Sequence, residues 1–265
     1  MMRPRLRATL YVVAYVAFIT LAEALLRRNL AAASLPSLLR YASARLPYEL
    51  ARLSHRVSGS RPRVVISLTS NPARIKALPF QRAVRALCNQ VPRPDAVWLH
   101  LPRAHSRVAG SWELPAWLLQ LNSSQDSPLR LHSPPVDYGP GTKLLGALLV
   151  EEDPATWILY LDDDSVYSPG VLQTMLDQTH LQPFSALGFM GGVVETAGAV
   201  ATCNVWPGAT SAPVQVLEGK GCVLVQRAMF GTDIFETFLR APNVCSRGDD
   251  LFISGAAAAS GTIIL

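Results

Sequence analysis

WILYLDDDSVYSPG, Trp157 to Gly170, is the stretch from which the fold can be read. Trp157 to Leu161 is a continuous apolar and aromatic run, the pattern of a strand covered on both faces. It passes into three consecutive carboxylates, Asp162, Asp163 and Asp164, and then into Ser168-Pro169, an N-cap followed by a residue whose φ is preset for the first helical position. The reading is strand, acidic turn, helix, with the carboxylates at the strand's C-terminal end. In open α/β sheets that end is where ligands bind, and carboxylates crowded there repel one another unless something positive neutralises them. Asp162 and Asp164 are two residues apart, so extended backbone turns both to one face and Asp163 to the other. Two oxygen ligands on one face suit Mg²⁺ or Mn²⁺ held jointly with a substrate's phosphates. A solvated acidic turn, with one Asp capping the helix, would give the same local pattern.

The 265 residues, 49% hydrophobic and 16% charged, suffice for one substantial α/β core and carry no signature of disorder. The formal net charge of +5 reflects the N-terminus, where Arg3, Arg5, Arg7, Arg27, Arg28, Arg40, Arg45, Arg52 and Arg56 face only Glu23 and Glu49. Beyond residue 60 no basic stretch is interleaved with aromatics, which argues against nucleic acid as a partner. Residues 8–26 are apolar except for Thr9, Thr20 and Glu23, and arginines flank them on both sides. That length spans a bilayer, and the charge balance favours a cytoplasmic N-terminus, hence a single-pass anchor with the domain on the lumenal side. A cleaved signal peptide ending at Ala22-Glu23-Ala24 and an arginine-rich organellar import sequence fit the same residues. The organisation that follows is a basic segment and anchor over 1–28, a stalk over 29–60 and a catalytic domain over 61–265.

The four cysteines, Cys88, Cys203, Cys222 and Cys245, lack CxxC spacing, which speaks against zinc. In an oxidising lumen a bridge among the last three is favoured over one to Cys88, and buried free thiols fit equally. Asn122-Ser123-Ser124 is a glycosylation sequon in a polar stretch.

From residue 61 onward the chain alternates strands and helices. Arg63 to Leu68 reads as a first strand closing in Thr69-Ser70-Asn71-Pro72, Phe80 to Cys88 as a helix, and Asp95 to Leu101 as a second strand. A short helix near Pro115 and a third strand, Leu129 to Ser133, follow. Pro134 to Lys143, PPVDYGPGTK, sets Asp137, two glycines and Lys143 ahead of a helix that Thr142 can cap. A lysine in the first turn opposes the helix dipole, so the position invites an anion such as phosphate. Leu187 to Val194 reads as a glycine-containing strand. Gln215 to Gln226 reads as two apolar runs broken by Glu218-Gly219-Lys220-Gly221, either a hairpin tip or a loop lying against substrate. In Arg247 to Ser254, Asp249 takes the N-cap place of a helix and Asp250 is left for other work. Thr262 to Leu265 closes the chain as a strand.

Taken in order, these stretches over residues 63–265 resemble the nucleotide-sugar-dependent glycosyltransferases of the GT-A fold. The elements that carry the resemblance are the opening strand with Thr69-Ser70, the Asp162-Asp163-Asp164 turn, the Glu218 to Gly221 segment and the late Asp249-Asp250. The leader is similar to the anchor and stalk of type II Golgi enzymes, which implies a secretory-pathway membrane. The resemblance implies a Rossmann-like α/β domain with a mixed, mainly parallel sheet flanked by helices. It implies transfer of a hexose or pentose from a nucleotide-diphosphate sugar to a hydroxyl acceptor on a glycan, protein or lipid. Asp162 and Asp164 would hold Mn²⁺ or Mg²⁺. Thr69, Ser70, Arg74, Asp137 and Asp163 would lie around the nucleotide and Lys143 near its diphosphate. Asp250 would be the general base of an inverting reaction, with Asp249 and Glu218 in reserve. Many members supply a histidine metal ligand near the C-terminus, and none follows His180 here.

Two other readings compete. A phosphohydrolase of the haloacid dehalogenase type would use Asp162 as nucleophile with Asp164, Lys220 and Asp249-Asp250 following in order, although its nucleophile strand usually opens the fold. A membrane-anchored carbohydrate-binding module would keep the architecture without the chemistry.

Overall fold

The computed structural model describes residues 35–105, 111–181, 184–193, 202–204, 213–242 and 248–265. The membrane-anchor reading of residues 8–26 falls outside them, as do Cys245 and Arg247. Among the described residues no helix is long and apolar enough to cross a membrane.

In chain order the elements are α1 (Leu35–Ser58), β1 (Val64–Thr69), α2 (Leu78–Cys88), β2 (Ala96–His100), α3 (Ala116–Ser123), β3 (Leu129–His132), α4 (Thr142–Val150) and β4 (Trp157–Tyr160). There follow α5 (Val171–Leu181), β5 (Ser185–Gly188), β6 (Gly191–Val193), β7 (Thr202–Asn204), β8 (Val216–Leu217), β9 (Val223–Gln226), α6 (Ile234–Arg240), α7 (Asp249–Ala259) and β10 (Ile263–Ile264). Seven strands form one sheet in the order β10-β5-β9-β4-β1-β2-β3, and β7-β6-β8 form a small second one. Within the large sheet only β9 runs antiparallel to its neighbours. The mixed, mainly parallel α/β architecture read from the sequence is therefore present.

Strand alternation builds the two core layers. Val65, Ile158, Tyr160, Val223 and Val225 face α4, α6 and α7. Ile66, Leu68, Leu159 and Leu224 face α2, α3 and α5 through Phe80, Val84, Leu118 and Met175. Chain order turns back at β1, since β2 and β3 build outward on one side and β4 on the other. The crevice beyond the C-terminal ends of β1 and β4 is thus the topological switch point, the position where open α/β sheets bind ligands.

Several local readings change. The segment read as a stalk contains α1, whose Tyr48 is buried in the core and meets the Phe184 ring at 5.5 Å between centroids, tilted by 36°. His55 on the same helix bonds Asp153 through Nε2 at 2.7 Å. Helix α5 begins at Val171, so Ser168-Pro169 precedes it instead of opening it. Thr142 is the first residue of α4, after N-cap Gly141, and its hydroxyl accepts the Tyr138 N–H at 3.0 Å. The 187–194 stretch divides into β5 and β6. Glu218 to Gly221 is no hairpin tip: β8 pairs with β6 while β9 pairs with β4 and β5, so the segment carries the chain from one sheet to the other. Cys88 and Cys222 are free thiols. Asn122 lies in α3, and its Oδ1 accepts the Leu131 N–H at 2.9 Å.

Candidate functional site

The three aspartates follow β4 at the switch point and diverge in exposure. Asp163 is buried, and its side chain is held by protein: Oδ2 accepts from Ser70 Oγ at 2.5 Å and Oδ1 from Arg74 Nη1 at 2.6 Å. Ser70 and Arg74 come from the loop after β1, so Asp163 ties the two loops that flank the crevice. Asp162 and Asp164 keep 35% and 53% of their side-chain surface in solvent. Arg74 also reaches Asp164 at 3.3 Å, and hydrogen bonding to Asp163 holds its guanidinium above the ordinary arginine range. Thr69 turns away from the crevice, donating from Oγ1 to the His100 carbonyl at 2.8 Å.

Asp137 organises the turn before α4. Its Oδ1 accepts the Gly139 N–H at 2.8 Å, and Gly139 has φ +60°, which a side chain would strain. Two residues after N-cap Gly141 comes Lys143, whose side chain is only 4% exposed. Its Nζ lies 2.8 Å from Asp162 Oδ1, 3.1 Å from Asp249 Oδ2 and 3.6 Å from Asp250 Oδ1. Burial pushes its pKa down, but Asp249, Asp162 and Asp250 push it up further, and the ammonium is held well above its ordinary range.

Asp249 and Asp250 open α7, with Gly248 as N-cap and no side-chain cap, so Asp249 does not fill the capping role read from the sequence. Asp249 is buried against Lys143, whereas Asp250 keeps 30% of its side chain exposed and accepts the Gly219 N–H on Oδ1 at 3.0 Å. Burial raises the pKa of both carboxyls, and Lys143 opposes the rise. Glu218 is bonded to Lys220 at 2.7 Å beside this cluster. The hydrolase reading takes Lys220 as the lysine that follows the aspartates in order; Lys220 pairs with Glu218, and the lysine that meets Asp162 is Lys143, which precedes it in the chain.

One group went unread in the sequence. Beneath α4, Ser67 Oγ donates to the Lys143 carbonyl and lies 3.0 Å from His100 Nε2, and His100 Nδ1 lies 2.9 Å from His132 Nδ1. Because Ser67 uses its proton on the carbonyl, it accepts from His100 Nε2–H, so His100 Nδ1 accepts from His132 Nδ1–H. Burial, with a smaller contribution from His132, lowers His100 to about 3 and keeps it neutral. The two histidines are the last residues of β2 and β3, and their pairing becomes visible only from the β2–β3 register that sets His100 opposite His132.

No protein-family model matches the sequence, and no curated protein does. Among solved structures the fold is similar to residues 1–349 of S. aureus TarS, with TM-score 0.50 and 12% identity over 77% of this chain and 58% of that one. The same fragment in complex with UDP gives TM-score 0.49 and 13% identity over 77% and 57%. TarS is a GT-A-like glycosyltransferase. At this identity the likeness shows the fold alone, and the chain spans less than two thirds of those TarS fragments.

Proposed function

We propose that this chain is a nucleotide-sugar-dependent glycosyltransferase that moves a sugar from a nucleotide-diphosphate donor to a hydroxyl acceptor with inversion. The observation that carries the reading is a meeting of elements at one place. Accessible Asp162 and Asp164 stand at the β1/β4 switch point, and α7 brings Asp250 to the same spot, with Lys143 in contact with both Asp162 and Asp250. The fold, similar to that of TarS, supports the reading.

A divalent cation fits these residues. Asp162 and Asp164 are the solvent-facing members of the triplet, and Mg²⁺ or Mn²⁺ in such sites takes one or two carboxylates and completes its shell with substrate phosphates and water. When bound, the cation supplies neutralisation of the charge that gathers on the departing diphosphate. Arg74, half exposed beside Asp164, offers a guanidinium for a phosphate oxygen on the same side.

Asp250 takes the proton of the acceptor hydroxyl as its oxygen bonds the anomeric carbon and the nucleotide diphosphate leaves. Partial burial makes its carboxylate a stronger base than a surface aspartate, and it remains accessible where Asp249 does not. Glu218 stands behind it as the second candidate. For the N-terminus we propose a single-pass anchor over 8–26 in a secretory-pathway membrane such as the Golgi, tested by carbonate extraction, which would leave the full chain in the membrane pellet.

The reaction is tested by incubating the full chain with Mn²⁺ and a panel of sugar nucleotides while nucleotide release is measured. Release from one sugar nucleotide, without hydrolysis of phosphomonoesters, is the expected result. Phosphomonoester hydrolysis lost in Asp162→Asn would establish the hydrolase instead.

A further inference from the structure

We propose that Lys143 is a positioning residue: its ammonium gathers the carboxylates of Asp162, Asp249 and Asp250 into one cluster and does not touch the donor's diphosphate. The inference deepens the transferase reading and rests on it for the reaction that the cluster serves.

The ammonium is enclosed by protein groups. The ammonium donates to Asp162 Oδ1 at 2.8 Å, and the carboxylates of Asp249 and Asp250 pair with its charge at 3.1 and 3.6 Å. On another side the Tyr160 ring lies with its centroid 5.9 Å away. Gly219 closes a further side so tightly that a Cβ there would strike Lys143 Nζ, and would meet its Cε at 2.8 Å. These groups crowd the ammonium and leave its side chain only 4% exposed, which sets it apart from an open phosphate site.

The three carboxylates come from separate parts of the chain, the turn after β4 and the first turn of α7. Without the ammonium they would repel one another across a mostly buried space, so the lysine joins the donor side of the crevice to the side that carries Asp250. This also accounts for a cation in the first turn of a helix, where it opposes the dipole. The anion that offsets it is the protein's own. Ser67, donating to the Lys143 carbonyl and backed by His100, fixes the backbone from which the side chain extends.

The test compares the full chain with Lys143→Met and with Lys143→Met/Asp249→Asn, reading thermal midpoint, UDP affinity and sugar-nucleotide turnover. Methionine keeps the apolar stem and removes the charge, and Asp249→Asn then removes one of the repelling carboxylates without touching an exposed group. A gathering role predicts a midpoint lowered by about 5 °C or more in Lys143→Met and at least half recovered in the double variant. It further predicts UDP affinity in the double variant within about threefold of the parent, with turnover down at least tenfold. A double variant no more stable than Lys143→Met overturns the proposal. So does UDP affinity falling more than tenfold in a double variant whose midpoint has recovered, the mark of a diphosphate ligand. If the parent neither binds UDP nor turns over any sugar nucleotide, the transferase reading fails, and recovery of the midpoint still decides whether Lys143 gathers the carboxylates.

Discussion

Arg74 Nη1 lies 2.6 Å from Asp163 Oδ1, so the middle aspartate of the triplet is bound to the loop after β1 and its two neighbours face the crevice. The consequence separates structural from chemical roles among adjacent residues. Asp163→Ala leaves Ser70 and Arg74 without their acceptor and should lower stability by about 1–3 kcal/mol. Asp164→Asn, at an exposed position, should leave stability within about 0.5 kcal/mol while turnover in Mn²⁺ collapses. Chemical denaturation and nucleotide release, run on both variants, check this. Equal stability losses at the two positions would contradict the division.

Helix α1 belongs to the folded unit, which makes its removal informative. A chain beginning at residue 61 loses Tyr48 from the core, its ring contact with Phe184 and the His55–Asp153 bond. Tyr48→Ala in the full chain should cost about 3 kcal/mol. The chain starting at residue 61 should melt well below the full chain. Matching midpoints would return α1 to the status of a spacer.

His100 predicts a pH dependence whose sign follows from its environment. Folded, it is held neutral down to about 3; unfolded, an imidazole takes a proton near 6.5. Between those values the unfolded state binds more protons, so stability rises with pH through the window and is lost on acidification. The slope from this residue is at most about 1.4 kcal/mol per pH unit. Urea unfolding of the full chain and His100→Gln between pH 4.5 and 6.5 should show a shallower slope in the variant. Parallel slopes would mean that His100 charges in the folded state.

Much of this was legible before the structure, for reasons specific to certain residues. WILYL announced a doubly covered strand because every position is apolar, and β4 is buried at all four residues. The parallel order of β1, β2 and β3 followed from helices between apolar runs. The Lys143 cluster was not legible, since contact between residue 143 and residues 249–250 depends on how α4 and α7 pack, which periodicity does not encode. Asp249 illustrates the limit: an acid at a helix start reads as a cap, and only the fold shows it turned to a buried lysine. Alpha1 was missed because arginines and a proline, Pro47, obscured an apolar stripe that the domain covers through Tyr48.

In the proposed glycosyl transfer Asp250 removes the acceptor's proton. Asp250→Asn keeps the size of the side chain and an oxygen for the Gly219 N–H, but cannot take up a proton. Turnover and donor affinity, measured on this variant and the parent with the sugar nucleotide that the panel identifies, test the claim most directly. A general-base role predicts turnover lower by about 10² to 10⁴ with donor affinity within about threefold. Full turnover in Asp250→Asn would contradict it.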